Sequence, residues 1–317
     1  MKAVLQFRAN PGLRIRLARE APEWLRVVVV DETDKSTFSE QMISADVLLH
    51  VLEPVTRAVM DDAPNLRLIQ KIGGRVDTID LDAARARGIA VANMPGSNAQ
   101  AVAEMTLALM LATLRRIPLL DRETRGGRGW HLPLTTFDSV GEIRGRTIGL
   151  IGYGEVPCRL APVLYALGAK MLYTAPTPKA HAIAQWCPLP DLLAASDVIS
   201  LHVPLKDETA LLINAKSIAH MKRGAVLINT AGGGLVDEAA LLDALQTGQL
   251  TAAGLDTLVS EPVGADHPLA ALDNVVLTPH AAWLTAETLN RSVQIAIENC
   301  RRLLHAESLL YEVLPAR

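Results

Sequence analysis

The sequence predicts an α/β protein built from two doubly wound parallel-sheet domains, and three observations carry that expectation. Short β-branched runs alternate with helical periods along most of the chain, as a parallel sheet covered by helices requires. A second alternating series starts afresh at Thr147-Ile148-Gly149-Leu150-Ile151 after a loop-rich stretch. At 317 residues, half of them apolar, the chain has the length for two cores at the usual ~100–200 residues per domain.

The first series opens with a strand over residues 3–7, a helical period over 13–21, a strand over 25–31, a polar helix, and a strand over 46–51. It continues with strand 66–72, helix 81–87 and strand 89–93. Met94-Pro95-Gly96-Ser97-Asn98 joins a chain breaker to N-cap residues, so the apolar run 101–114 is predicted as a long buried helix at a domain crossing. Its most apolar part, 107–114, lies between Glu104 and Arg115-Arg116 and is too short for a membrane span. Loop-rich residues 126–138 contain Trp130 and His131. The strands of the second series are predicted at 147–151, 171–174, 198–203, 225–229, 252–256 and 274–278. An amphipathic helix over 286–305 ends in Arg301-Arg302, and its periodicity leaves open which unit it closes.

Composition excludes several functions. Lys and Arg number 31 against 34 Asp and Glu, a net charge of −3, and aromatics make up 3%, which is not the basic, ring-lined groove that nucleic acid binding needs. A small-molecule partner is expected instead. Cys158, Cys187 and Cys300 are too scattered for a disulfide framework or a metal cluster. Met1-Lys2-Ala3-Val4 leads straight into strand-like sequence without a signal-peptide pattern, so a cytoplasmic protein is expected.

Gly152-Tyr153-Gly154-Glu155-Val156-Pro157 follows an apolar strand and opens a helix predicted from Cys158. Such a turn aims backbone N–H groups and the helix dipole at a pyrophosphate, with glycines permitting close approach; a ligand-free strand–helix turn is the plainer alternative. Pro157 replaces the third glycine of the fingerprint, bulkier where helix and strand pack closely. About twenty residues on, where an acid would bind the ribose of NAD, stand Thr174-Ala175-Pro176-Thr177. Without that carboxylate a 2′-phosphate is not repelled, and Thr174, Thr177 and Lys179 are placed to receive one, so the expected cofactor is NADP or NAD.

Gln70-Lys71-Ile72-Gly73, Ala103-Glu104-Met105-Thr106, the Gly152 loop, His202-Val203-Pro204-Leu205, Ile228-Asn229-Thr230-Ala231, Gly254-Leu255-Asp256, Glu261-Pro262 and Thr278-Pro279-His280 occur in that order. Together they resemble the D-isomer-specific 2-hydroxyacid dehydrogenases along nearly the whole chain. The resemblance implies a flavodoxin-like substrate domain from residues 1–96 and 286–317, a Rossmann dinucleotide-binding domain inserted at 97–285, and a homodimer. It implies His280 as the acid/base that exchanges the hydroxyl proton, and Glu261 as the carboxylate that holds its imidazole. Asp256 is implied at the nicotinamide carboxamide, with a turn-capping strand-end Asp as the alternative. Val203 and Pro204 are implied beside the adenosine, and the implied cofactor set also takes in Gly152, Tyr153, Gly154, Glu155, Val156, Thr174, Ala175, His202, Thr209, Thr230, Ala231, Gly232 and His280. For the substrate, Gly73, Gly74 and Arg75 form the implied carboxylate loop, and Trp283 and Trp130 either wall the pocket or pack in a core. His50 is expected to be a satisfied histidine at a sheet edge.

Two positions depart from the family pattern. The resemblance calls for an arginine at 232, which would hold the substrate carboxylate and polarise the ketone oxygen, and Gly232 stands there. Losing such a charge-assisted contact costs on the order of 3 kcal/mol, about a hundredfold in rate, so impaired or altered activity is expected. Arg75 occupies a position usually glycine, where its guanidinium would either serve as a compensating catalytic cation, turn to solvent, or obstruct the carboxylate site. The expected function is hydride transfer between NAD(P) and a small 2-oxo or D-2-hydroxy acid. The alternatives are a dinucleotide- or metabolite-binding protein with little or no redox turnover, and non-redox acid/base chemistry at His280.

Overall fold

In the computed structural model, which describes residues 1–315, strand β1 (Lys2–Gln6) is buried from Ala3 onward, on both faces, as a strand inside a helix-covered parallel sheet must be. The chain then runs through α1 (Pro11–Glu20), β2 (Arg26–Val30), α2 (Lys35–Met42), β3 (Val47–His50), α3 (Arg57–Asp61), β4 (Leu68–Lys71), α4 (Leu81–Arg87) and β5 (Ala90–Ala92). Side chains of Asn10, Asp34 and Asp80 cap α1, α2 and α4. Next come α5 (Ala99–Leu114), α6 (Ile117–Arg125), β6 (Thr147–Ile151), α7 (Glu155–Ala166), β7 (Lys170–Thr174), β8 (Gln185–Trp186), α8 (Leu189–Ala195) and β9 (Val198–Leu201). They are followed by α9 (Ala215–Ala219), β10 (Ala225–Asn229), α10 (Glu238–Gln246), β11 (Leu250–Leu255), β12 (Val275–Leu277), α11 (Ala286–Leu304) and β13 (Glu312–Leu314).

Two units separate, one from Met1–Asn98 and the segment beginning at Leu284, the other Ala99–Trp283. In the first, the sheet order is β13-β5-β4-β3-β1-β2, parallel apart from the antiparallel β13. Helix α11 belongs to this unit through a buried polar network. Asn299 Nδ2 donates to Gln70 Oε1 (2.5 Å) and to the Leu310 carbonyl (3.0 Å), while Gln70 Nε2 donates to the carbonyls of Lys71, Ala92 and Asn93. Buried amides left without partners would cost ~1–3 kcal/mol each, so this bonding fixes which sheet the helix covers.

In the second unit all seven strands are parallel in the order β12-β11-β10-β9-β6-β7-β8. The chain leaves β6 in both directions, so its topological switch point falls between β6 and β9. Ile148 and Leu150 pack on the face covered by α5 and α7, whereas Ile151, Ile199 and Leu227 pack on the face covered by α8 and α10. Strand periodicity thus sends alternate residues to two separate cores, the doubly wound arrangement.

Candidate active site

β6 delivers the chain into the glycine loop at Ile151, and α7 begins at Glu155 rather than at Cys158 as the sequence predicts. Pro157 falls in the first helical turn, where N–H groups have no intrahelical partner anyway, so the proline is accommodated and buried. Gly152 has φ +95°, and a Cβ there would stand 2.8 Å from the His202 carbonyl oxygen, so only glycine fits. Gly154 is an N-cap without a side-chain cap, and the space where its Cβ would project is open. Glu155 and Val156 therefore present N–H groups to an outside acceptor at a helix start, a cradle that fits a dinucleotide pyrophosphate.

Beyond β7, Thr174 and Ala175 are half-buried and Thr177 and Lys179 are exposed. Two tyrosines fold this loop back: Tyr153 and Tyr173 pack with ring centroids 4.4 Å apart and planes tilted by 43°, Lys179 N donates to Tyr173 Oη (2.6 Å), and Ile183 N donates to Tyr153 Oη (3.2 Å). No acidic side chain occupies residues 174–181. After β9, the ring of His202 bonds Ser200 Oγ (2.9 Å), and burial pushes its pKa down to about 3, so the imidazole stays neutral. Thr209 Oγ1 donates to the Pro204 carbonyl (2.7 Å) and accepts from Lys206 N (2.8 Å), closing the turn that follows Val203 and Pro204.

At the end of β10, Asn229, which stands out in the sequence only as part of a motif, holds the next turn. Its Oδ1 accepts from Ala231 N (3.0 Å) and Gly232 N (3.2 Å), and its Nδ2 donates to the Gly232 carbonyl (2.9 Å). Thr230 Oγ1 bonds Thr106 Oγ1 of α5 (2.9 Å). At the end of β11, Asp256 is 2% exposed and its carboxylate accepts from Thr278 Oγ1 (2.5 Å), Ala281 N (2.9 Å) and Ala282 N (3.0 Å). The turn-capping alternative is therefore what the structure displays for Asp256. It pins the turn at whose centre His280 sits with φ +51°, a left-handed conformation that costs a non-glycine residue about 1 kcal/mol or more.

His280 Nδ1 lies 2.7 Å from Glu261 Oε2, and Leu258 N donates to Glu261 Oε1 (2.9 Å). A carboxylate only accepts, so Nδ1 carries the hydrogen, which leaves Nε2 of this partly exposed ring as its second nitrogen. Around it the fold brings together Asp256, Glu261, Thr278 and His280. Trp130 is 88% exposed, which rules out the core packing weighed for it, while Trp283 is half-buried. Among the described residues no group of three or more His, Cys, Asp or Glu is placed to hold a metal ion, and no helix is long and apolar enough to cross a membrane.

In the other unit, the loop after β4 carries Gly73 at φ +132° and is braced by Met94 N to the Gly73 carbonyl (2.8 Å) and Asn93 Nδ2 to the Gly74 carbonyl (2.7 Å). Arg75 is folded onto its own loop, with Nε and Nη2 donating to the two oxygens of Asp77 (3.0 and 2.6 Å). Behind the loop, His50 is 1% exposed; its Nε2 bonds Thr78 Oγ1 (2.8 Å) and lies 3.4 Å from Lys71 Nζ, which donates to the Val51 carbonyl. Burial, then the Lys71 charge, pushes the His50 pKa down to about 3. The neutral ring is the satisfied histidine expected from the sequence.

A pH dependence follows. Unfolded His50 takes a proton below pH ~6.5 and the native ring does not until about pH 3, so its contribution is complete above neutrality and is lost progressively on acidification. Between pH 7 and 5 the loss is about 2 kcal/mol at 1.36 kcal/mol per pKa unit. Urea titrations of wild type and His50→Gln will show it as a steeper fall in midpoint for wild type; equal slopes would contradict it.

The family profile described as "D-isomer specific 2-hydroxyacid dehydrogenase, NAD binding domain" matches residues 107–282. The chain belongs to the D-isomer-specific 2-hydroxyacid dehydrogenase family. It is 38% identical over 265 residues to a glyoxylate reductase of Aeropyrum pernix, covering 80% of this chain and 78% of that protein. It is 39% identical over 283 residues to a D-3-phosphoglycerate dehydrogenase of Mycobacterium tuberculosis, covering 88% of this chain but 53% of that longer protein. The solved TT0316 protein of Thermus thermophilus superposes with a TM-score of 0.90 at 35% identity, covering 99% of this chain and all of that one. The two-sheet α/β architecture is thus the fold of the dehydrogenase family, and the cofactor is NAD or NADP. Within this dehydrogenase fold Glu261 contacts His280 on the turn held by Asp256, and the turn held by Asn229 ends in Gly232.

Proposed function

We propose that the chain interconverts a small 2-oxo acid and the corresponding D-2-hydroxy acid with NAD(P), at a rate altered by Gly232. The observation that carries this reading is the His280–Glu261 contact of 2.7 Å on a turn clamped by Asp256, in the unit that also holds the glycine cradle. A reduced nicotinamide dinucleotide would supply the hydride to C2. His280 Nε2 donates its proton to the ketone oxygen in reduction and takes it back from the hydroxyl in oxidation, while Glu261 keeps the ring oriented by holding Nδ1–H. Gly73, Gly74 and Arg75 take the substrate carboxylate. The glycine loop and the turns at Thr174, Val203 and Thr230 hold the dinucleotide.

The test mixes protein with NADPH or NADH and glyoxylate, hydroxypyruvate, pyruvate and longer 2-oxo acids, following cofactor absorbance. Oxidation with at least one acid is expected. Cofactor binding without turnover across the panel would overturn the reading in favour of a dinucleotide-binding protein, for which Gly232 and the acid-free 174–181 loop speak.

We read the protein as a homodimer, and α6 supports it: no residue of this amphipathic helix is buried, and the following loop exposes Trp130 (88%) and Leu134 (85%). A covering second copy would bury these side chains at a gain of ~25 cal/mol per Å². Light scattering after size exclusion is expected to give twice the 34.1 kDa chain mass for wild type and the chain mass for the double change Trp130→Glu, Leu134→Glu. A monomeric wild type would refute it.

A further inference from the structure

In the first unit the strand order reverses at β1 and β3: the chain leaves β1 to one side for β2 and returns to the other side for β3. At such a switch point the flanking loops part, opening a crevice beyond the carboxyl ends of the strands. A cavity of about 280 Å³ lies there, lined by Gln6 at the end of β1, by α2, and by the loop and helix that follow β3. It involves neither the Gly73 loop nor any residue assigned above to catalysis or cofactor binding.

Strand periodicity explains how a polar side chain arrives there. Val4 packs in the core with Phe38, Met42 and Leu48, and Gln6, two residues on, projects from the same face where the strand ends. Gln6 is only 7% exposed, and among the described residues its amide has no hydrogen-bond partner. Its amide is not among the enclosed side-chain polar atoms left without a partner, so it meets solvent in the cavity, where its donor and its acceptor are both open to a ligand. Phe38, Met42 and Val59 give the cavity an apolar wall. Its rim carries Lys35 on one side of the charge balance and Glu53 and Asp62 on the other, none of them ion-paired among the described residues.

We infer that this cavity binds a small zwitterion, an α-amino acid with an apolar side chain. Lys35 and the Gln6 NH₂ group receive the carboxylate. Glu53, Asp62 and the Gln6 carbonyl oxygen receive the ammonium, and the side chain lies against Phe38, Met42 and Val59. An amide suits such a ligand because it donates and accepts at once. The cavity falls just below the ~300 Å³ at which pockets for drug-sized ligands begin, so it takes a molecule of metabolite size. A 2-oxo acid brings no cation for Glu53 and Asp62, which separates this site from the proposed reaction.

Isothermal titration of the full chain with the common L-amino acids is the test, with glyoxylate, pyruvate and sulfate as comparison ligands. At least one apolar amino acid is expected to bind one per chain with Kd below about 1 mM, and Gln6→Leu and Glu53→Gln are each expected to weaken it at least tenfold. The ligand-free Gln6→Leu protein is expected to melt no lower than wild type, which separates lost binding from lost folding; the rim change Glu53→Gln provides the answer if Gln6→Leu fails to fold. Three results would overturn the proposal: no saturable heat with any amino acid at about 10 mM, ten times that limit; unchanged affinity in both variants; or binding of the oxo acids or sulfate alone.

Discussion

Exchanging His280 for Asn is expected to lower kcat by about 10²–10⁴-fold, the usual worth of a positioned acid/base, with the Kd of the dinucleotide unchanged. Asparagine is the informative replacement because residue 280 stands at φ +51°, and Asn tolerates the left-handed region better than most residues. The Asp256 bonds to Ala281 N and Ala282 N and the His280 N–H to the Asp256 carbonyl (2.8 Å) involve only backbone of the turn, so they survive the exchange. What disappears is the ring, and with it the Nε2 atom proposed to exchange the proton. Glu261→Gln is expected to fall between wild type and His280→Asn, since a glutamine oxygen still accepts from Nδ1–H but brings no charge to an imidazolium. Steady-state rates with the best 2-oxo acid, alongside fluorescence titration of the cofactor, measure both quantities. If His280→Asn turns over as fast as wild type, the proton comes from elsewhere.

The parts of this fold legible in the sequence were those where burial writes a period. β6, β9 and β10 are runs buried on both faces, and the glycine loop announces itself by following one of them. Edge elements carry no such signal: β8 is Gln185–Trp186, both exposed, and β13 is three residues with only Leu314 buried. Helix α6 was invisible for the same reason, having no buried residue to set a period. Periodicity also shows that a helix has an apolar face without saying which sheet receives it; for α11 the deciding contact is Asn299 to Gln70, 229 residues apart. At the site, the family resemblance supplied His280 and Glu261, and the structure joins them. The turn-holding work of Asn229 and Thr278 was not legible, because a polar residue at a strand end looks alike whether it caps a turn, meets a ligand or faces water, until its partners are placed.

Gly232→Arg is expected to raise kcat/KM for a 2-oxo acid by about a hundredfold or more, the inverse of the ~3 kcal/mol that losing a charge-assisted carboxylate contact costs. The backbone permits it. Gly232 has φ 171° and ψ 136°, extended values any residue adopts, and the Asn229 bonds that shape the turn engage only the N–H and carbonyl of residue 232. One residue along the situation reverses, since a Cβ at Gly233 would stand 2.0 Å from the Leu258 carbonyl oxygen; Gly233→Arg is therefore the control expected to disrupt the turn without gain. The gain should appear with acids whose carboxylate sits beside the ketone and vanish with the corresponding aldehydes, which offer a guanidinium no second contact. The same assay reads Arg75. A guanidinium that leaves Asp77 for the substrate carboxylate makes Arg75→Gly costly in wild type and neutral beside Gly232→Arg, a non-additive pair. One that stays on Asp77, an exposed ion pair of little energetic weight, makes Arg75→Gly equally mild in both backgrounds. If Gly232→Arg folds, binds cofactor and still shows no gain, the glycine is not the site of the lost chemistry, and the binding-protein reading takes precedence.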